Sequence, residues 1–188
     1  MSNAVSTLQG KVAAGEVTVR EGGLRGMITL RGDLASSKLK SVCKSLTGFA
    51  IPDMGKAASK GDKGIAWMSP DELLVLVPQG ETASALEKIA KAMKGQHYLA
   101  ENVSDARTHI IVEGSFAREV IAKLAPVDLH PTALRPGDFR RSRLGQVAAA
   151  FWMTDADTFR VICFRSVGDY AFKLLSVSAA KGGEVGYF

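Results

Sequence analysis

Hydrophobic and polar positions along this chain fall into short blocks that repeat. LRGMITLRGDLA, from Leu24 to Ala35, and ARTHIIVEGSFA, from Ala106 to Ala117, each predict a strand running through a glycine into a helix. After the glycine, Asp33 and Ser115 predict N-caps, whose side-chain oxygens accept a free N–H of the first helical turn. Ala35, Leu39, Val42, Cys43 and Leu46 then share one helical face, as do Phe116, Ala117, Val120, Ile121 and Leu124. Gly48 and Pro126 mark the helix ends. PDMGKAASKGDKG and APVDLHPTALRPGD follow as loops. Each leads to a predicted hairpin: IAWM and LLVLVP around Ser69, Pro70 and Asp71, and GQVAAAFWM and FRVICF around Thr154 to Thr158.

Second helices follow PQGET and RSVGD, capped by Thr82 and Ser166. Leu86, Ile89, Ala90 and Met93 form one apolar stripe, and Val167, Ala171, Leu174, Leu175 and Ser178 the other. Weaker strands, EVTVRE at Glu16 to Glu21 and HYLAENV at His97 to Val103, precede each block. The two blocks superpose with a shift of about eighty residues, which predicts an internal duplication. The expected organisation is a loose leader over 1–15 and a single duplicated domain over 16–188, with repeats over about 16–95 and 97–180. The expected class is α+β, with β-β-α-β-β-α units, mostly antiparallel sheets and helices packed on them. Trp67 and Trp152 fall at equivalent strand positions, which predicts core or inter-half packing.

Composition narrows the function classes. With 46% hydrophobic and 23% charged residues in 188, the chain has the balance of a globular protein. The first residues lack a basic start and apolar run, and no apolar run approaches the roughly 20 residues that cross a bilayer. A cytoplasmic protein without a membrane span is expected. Cys43 and Cys163 sit far apart in apolar periodic segments and predict buried thiols. His97, His109 and His130 lack neighbouring ligands at zinc-site spacings, so no metal site is expected. The net charge of +5 is concentrated before Gly64, but the lysines are spaced as a solvated face without interleaved aromatic residues. No nucleic-acid partner is predicted.

No catalytic constellation stands out, and no glycine-rich phosphate loop links a strand to a helix. Asp128 and His130 in VDLHP would form a carboxylate-oriented base on an extended segment, whereas Pro131 and the loop setting favour a turn. Asp155 and Asp157 read as hairpin-turn residues, and His109 as a half-buried cross-strand residue or a catalytic one. In LRPGDFRRSRLGQ, Arg135, Arg140, Arg141 and Arg143 crowd around Asp138. Arginine suits bidentate contacts and is enriched at interfaces, so these four are the candidate partner interface, facing an acidic surface; a solvated basic loop is the alternative.

WMSPDELLVLVP, VSDARTHIIVEG, DLHP and RSRLGQVAAAFWM with FRVICFRSVGDYAFKLL together resemble the gamma subunit family of heterotetrameric sarcosine oxidase, from about Val17 onward. The resemblance implies the fold of the folate-binding domain of glycine-cleavage T-protein, with one further strand per half, near Phe49 to Ile51 and Val127 to Leu129, and first strands exchanged between halves. It implies a complex that oxidatively demethylates sarcosine to glycine, with hydrogen peroxide and formaldehyde or methylenetetrahydrofolate as products. It also implies alpha, beta and delta partner subunits carrying FAD, FMN, NAD, tetrahydrofolate and zinc, with no cofactor or catalytic residue on this chain. A stand-alone folate-binding one-carbon-transfer protein is the alternative.

Overall fold

The computed structural model describes residues 4–188. In chain order the elements are β1 (Val12–Ala14), β2 (Thr18–Glu21), β3 (Gly26–Gly32), α1 (Ser37–Thr47), β4 (Ala57–Lys60), β5 (Lys63–Ser69), β6 (Glu72–Val77), α2 (Thr82–Ala92) and β7 (Tyr98–Asn102). They continue with β8 (Arg107–Glu113), α3 (Ala117–Ala122), β9 (Phe139–Leu144), β10 (Val147–Asp155), β11 (Thr158–Phe164) and α4 (Gly168–Ser178). The class is mixed α+β, and all strand pairings are antiparallel. Among the described residues, no helix is long and apolar enough to cross a membrane.

The chain divides into two compact units, Arg25–Asp105 and Met1–Leu24 with Ala106–Phe188. The first holds a sheet in the order β4-β5-β6-β3-β7, the second a sheet in the order β1-β2-β8-β11-β10-β9. Thus β2 precedes β3 in the sequence but pairs with β8, and β7 pairs back onto β3. The 1–15 segment departs from the loose leader expected for it, although residues 1–3 lie outside the described ones. Leu8 is buried, β1 pairs with β2, and the Glu21 carboxylate accepts N–H bonds from Leu8 and Gly10 at 2.7 and 2.6 Å.

In the Arg25–Asp105 unit, Leu39, Val42, Cys43 and Leu46 of α1 join Ala85, Ile89 and Met93 of the second helical segment over Ile28, Leu30, Ile65, Leu73 and Val75. Gly48 ends α1 at φ 83°, its N–H reaching the Lys44 carbonyl at 2.9 Å. The start differs from expectation. The Asp33 carboxylate accepts the Ala35 N–H at 2.9 Å in a turn of its own, and α1 begins at Ser37. Similarly α3 begins at Ala117, after Phe116 rather than after Ser115. A 3-10 turn precedes each second helix, at Gln79–Glu81 and Arg165–Val167, so Thr82 is the first residue of α2 and its hydroxyl donates to the Gln79 carbonyl at 2.8 Å. In the other unit, Val120, Ile121, Ala171 and Leu175 cover Ile110, Val112, Phe151, Phe159 and Val161.

The further strand in each block is β4 or β9, both beyond the stretches near Phe49 and Val127 where the resemblance placed one. Both are edge strands, whose polar or charged residues discourage pairing with foreign strands and also read as loop. The tryptophans also separate. Bulges interrupt the hairpins between Trp67 and Ser69 and between Met153 and Asp155, with Trp67 opposite Leu73 and Met153 opposite Phe159. Counted from the turn, Trp67 therefore matches Met153, and a one-residue offset reverses the face. Trp67 is half-buried on the Ile65 side, whereas Trp152 is buried opposite Phe151 and Met153, its ring 6.1 Å from that of Phe139.

Candidate functional site

The arginine-rich segment is positioned by a tight turn. The Arg135 N–H donates to the buried Asp138 carboxylate at 2.7 Å, and the Asp138 N–H returns to the Arg135 carbonyl at 2.8 Å. This turn feeds β9, whose alternation splits the four arginines. Arg140 lies opposite Phe151, on the face covered by α3 and α4, and its guanidinium donates to the carbonyls of Phe139 and Ala133 at 2.9 and 3.2 Å. It braces the loop. Arg141 and Arg143, opposite Ala150 and Ala148, share the other face and are exposed, with Arg143 donating to Gln146 Oε1 at 2.7 Å. Arg135 is exposed at the turn. The structure therefore brings together only two of the four on one strand face.

The remaining sequence candidates resolve into packing and turns. The Asp128 carboxylate accepts the His130 backbone N–H at 2.9 Å, while His130 Nδ1 lies 2.8 Å from the Thr132 hydroxyl; this is a turn, with no carboxylate orienting the imidazole. His109 is buried rather than half-buried, opposite Ile162 in the sheet. Gly22 packs flat against it: a Cβ on Gly22 would stand 2.0 Å from His109 Nδ1. Asp155 accepts the Asp157 N–H at 3.0 Å within the β10–β11 turn. Burial pushes the Cys43 thiol up to about 12 and the Cys163 thiol up to about 11, as expected for apolar spacers rather than reactive groups. Among the described residues, no three His, Cys, Asp or Glu side chains gather as a metal site.

Sequence reasoning missed a second set of groups, because their partners are distant in the chain. The Arg118 guanidinium donates to the carbonyls of Leu129 and Leu134, fixing the loop before β9. The neighbouring Glu119 is buried, and its carboxylate accepts the backbone N–H groups of Val185 and Tyr187 at 2.7 and 2.6 Å. The bond from Val185, helped by those from Tyr187 and Gly186 and by Lys123, holds the Glu119 carboxyl below its usual range against the opposing push of burial. Lys123 donates to the carbonyls of Ser178 and Gly183, and the Arg118 guanidinium lies 5.9 Å from the Phe188 ring. The segment Gly183–Phe188 is thus strapped along α3. In the Arg25–Asp105 unit, an open groove of about 660 Å³ lies between α1 and α2.

Comparison with known proteins identifies this architecture. Residues 31–181 match the sarcosine oxidase, gamma subunit family. The chain is 25% identical over 151 residues to the sarcosine oxidase subunit gamma of Arthrobacter sp, covering 79% of this chain and 73% of the relative. It is 24% identical over 161 residues to that of Corynebacterium sp. (strain U-96), covering 84% and 77%. A chain of the heterotetrameric sarcosine oxidase from Corynebacterium sp. U-96, solved with pyrrole 2-carboxylate, superposes with a TM-score of 0.79 at 23% identity, covering 89% of this chain and 87% of that one. The glycine cleavage system aminomethyltransferase T of Bartonella henselae shares the fold at a TM-score of 0.61 and 12% identity, over 90% of this chain and 47% of its own.

Proposed function

Because the chain belongs to the sarcosine oxidase, gamma subunit family, we propose that it is a noncatalytic subunit of a heterotetrameric sarcosine oxidase. The family match over residues 31–181 carries this reading. The assembly, with alpha, beta and delta subunits as partners, oxidatively demethylates sarcosine to glycine in the cytoplasm and releases hydrogen peroxide with formaldehyde or methylenetetrahydrofolate. FAD, FMN, NAD, tetrahydrofolate and zinc reside on the partners. The repeated order of strand, helix, three strands and helix in the two units supports reading the chain as a duplication. Arg141 and Arg143 are the pair of the arginine segment best placed to meet an acidic partner surface, with Arg135 exposed at the turn before β9 and Arg140 bracing the loop.

Affinity purification of the tagged chain from its native cells grown on sarcosine tests this reading. The expected result is yellow material in which larger flavin-bearing chains accompany it in fixed ratio. A colourless, solitary protein from cells that demonstrably oxidise sarcosine would overturn it. The fold shared with the aminomethyltransferase supports a second reading, a stand-alone folate-binding one-carbon-transfer protein. Saturable binding of tetrahydrofolate to the isolated chain, measured by calorimetry, would favour that reading.

A further inference from the structure

The groove between α1 and α2 is open to solvent. Its floor is Val42 and Ala92, at the upper edge of the core. One wall is the stripe Ser37, Ser41 and Ser45 of α1, successive turns apart, whose short side chains let another backbone come close. Lys38, Lys88 and Lys91 line it with exposed ammonium groups, and none of the three forms an ion pair among the described residues. The two helices together carry Lys38, Lys40, Lys44, Lys88 and Lys91 against the single acid Glu87. Positive charge gathered around an apolar floor favours a ligand with acidic groups at its margins and apolar groups beneath.

A polypeptide fits this lining better than a nucleic acid. The groove offers no aromatic residue on which a base could stack and no arginine for bidentate phosphate contact, and its apolar floor has no use for a sugar-phosphate backbone. In the other unit a helix of the corresponding layer already accepts a polypeptide segment, since the Val185 and Tyr187 N–H groups bond to Glu119 of α3. We propose that the α1–α2 groove is the docking site for an acidic segment of a partner subunit, one that seats apolar side chains on Val42 and Ala92 and carboxylates against Lys38, Lys88 and Lys91. This rests on the reading of the chain as a subunit of an assembly. Docking of this kind is steered by charge and weakens with salt.

The test co-expresses the full chain with its partner subunits in three forms: unaltered, with Lys38→Glu, Lys88→Glu and Lys91→Glu together, and with Ser41→Trp, which fills the groove without changing its charge. Incorporation is read by size-exclusion chromatography, and the affinity of purified chain for the remaining subunits at low and high salt. The unaltered chain is expected to assemble, and both variants to bind at least roughly tenfold more weakly while retaining the thermal midpoint of the unaltered chain. The charge-reversed form should also lose most of the salt dependence. If the unaltered chain assembles and both variants match it, the groove proposal is overturned and the subunit reading stands. If the unaltered chain fails to assemble with any partner, both fall. Salt-sensitive binding of a single-stranded oligonucleotide that only the charge reversal abolishes, with assembly unaffected, would also overturn the proposal.

Discussion

The helix layers of the two units rest on the same kind of sheet but are finished differently. Over β8, β10 and β11, α3 and α4 are tied by the Ser178 hydroxyl donating to the Val120 carbonyl, and Gly183–Phe188 is held along α3 by Glu119 and Lys123. Over β3, β5 and β6, α1 and α2 pack by their apolar faces alone, and lysines and serines border the open channel between them. Burial of apolar surface builds both layers. What differs is the polar dressing, which in one unit is satisfied by the chain's own tail and in the other remains available to a second molecule.

The largest effects should leave this contrast intact. Ile89→Ala beneath α2 and Leu175→Ala beneath α4 each remove a fully buried side chain, and each should destabilise the protein by roughly 2–5 kcal/mol in urea unfolding. A cost confined to one of them would show that the two helix layers are not anchored alike.

Next in size is Glu119→Gln, which removes the charged acceptor for Val185 and Tyr187. Amide exchange in Gly183–Phe188 should quicken roughly tenfold or more, the scale of a lost hydrogen bond to a charged group, while amides of α1 and α2 keep their rates. Unchanged tail exchange would mean that the strap does not depend on this carboxylate.

Acid should act on the same strap. The Glu119 carboxyl is held below its ordinary value of 4.5, so its contribution is fully present above that value and is lost as the pH falls through the lower value of the folded state. Tail protection should therefore persist at neutral pH and fade in acid, and in Glu119→Gln this pH dependence should vanish. Nuclear magnetic resonance of the Val185 and Tyr187 amides measures it. The smallest effect on folding belongs to Arg141→Ser with Arg143→Ser. These exposed residues should change stability by no more than about 0.5 kcal/mol, and any loss of assembly that accompanies the change should diminish as salt is raised.

Periodicity made the helices, the central strands and the hairpins legible. Leu39, Val42, Cys43 and Leu46 are buried together as their spacing predicts, and Gly48 stops α1 where a left-handed residue is needed. Edge strands were less legible, because β4 and β9 carry the polar residues that protect an edge and that also mark a loop. The repeat itself misled at the tryptophans: the two hairpin turns are equally long, but Trp152 stands one residue farther from its turn than Trp67 does, which reverses its face. Of the candidate interface, the sequence located the arginines but not their separation by strand alternation, nor the consumption of Arg140 by the Ala133 and Phe139 carbonyls. Glu119 and the groove were invisible for a common reason: each joins segments that no local pattern connects.

Sarcosine oxidation by three preparations, namely the purified chain alone, the partner subunits without it, and the complete assembly, tests the central claim most directly. A noncatalytic subunit predicts no turnover and no flavin absorbance from the chain alone, with turnover confined to preparations containing the partners. Turnover by the chain alone would contradict the account and move the search for catalytic residues onto this fold.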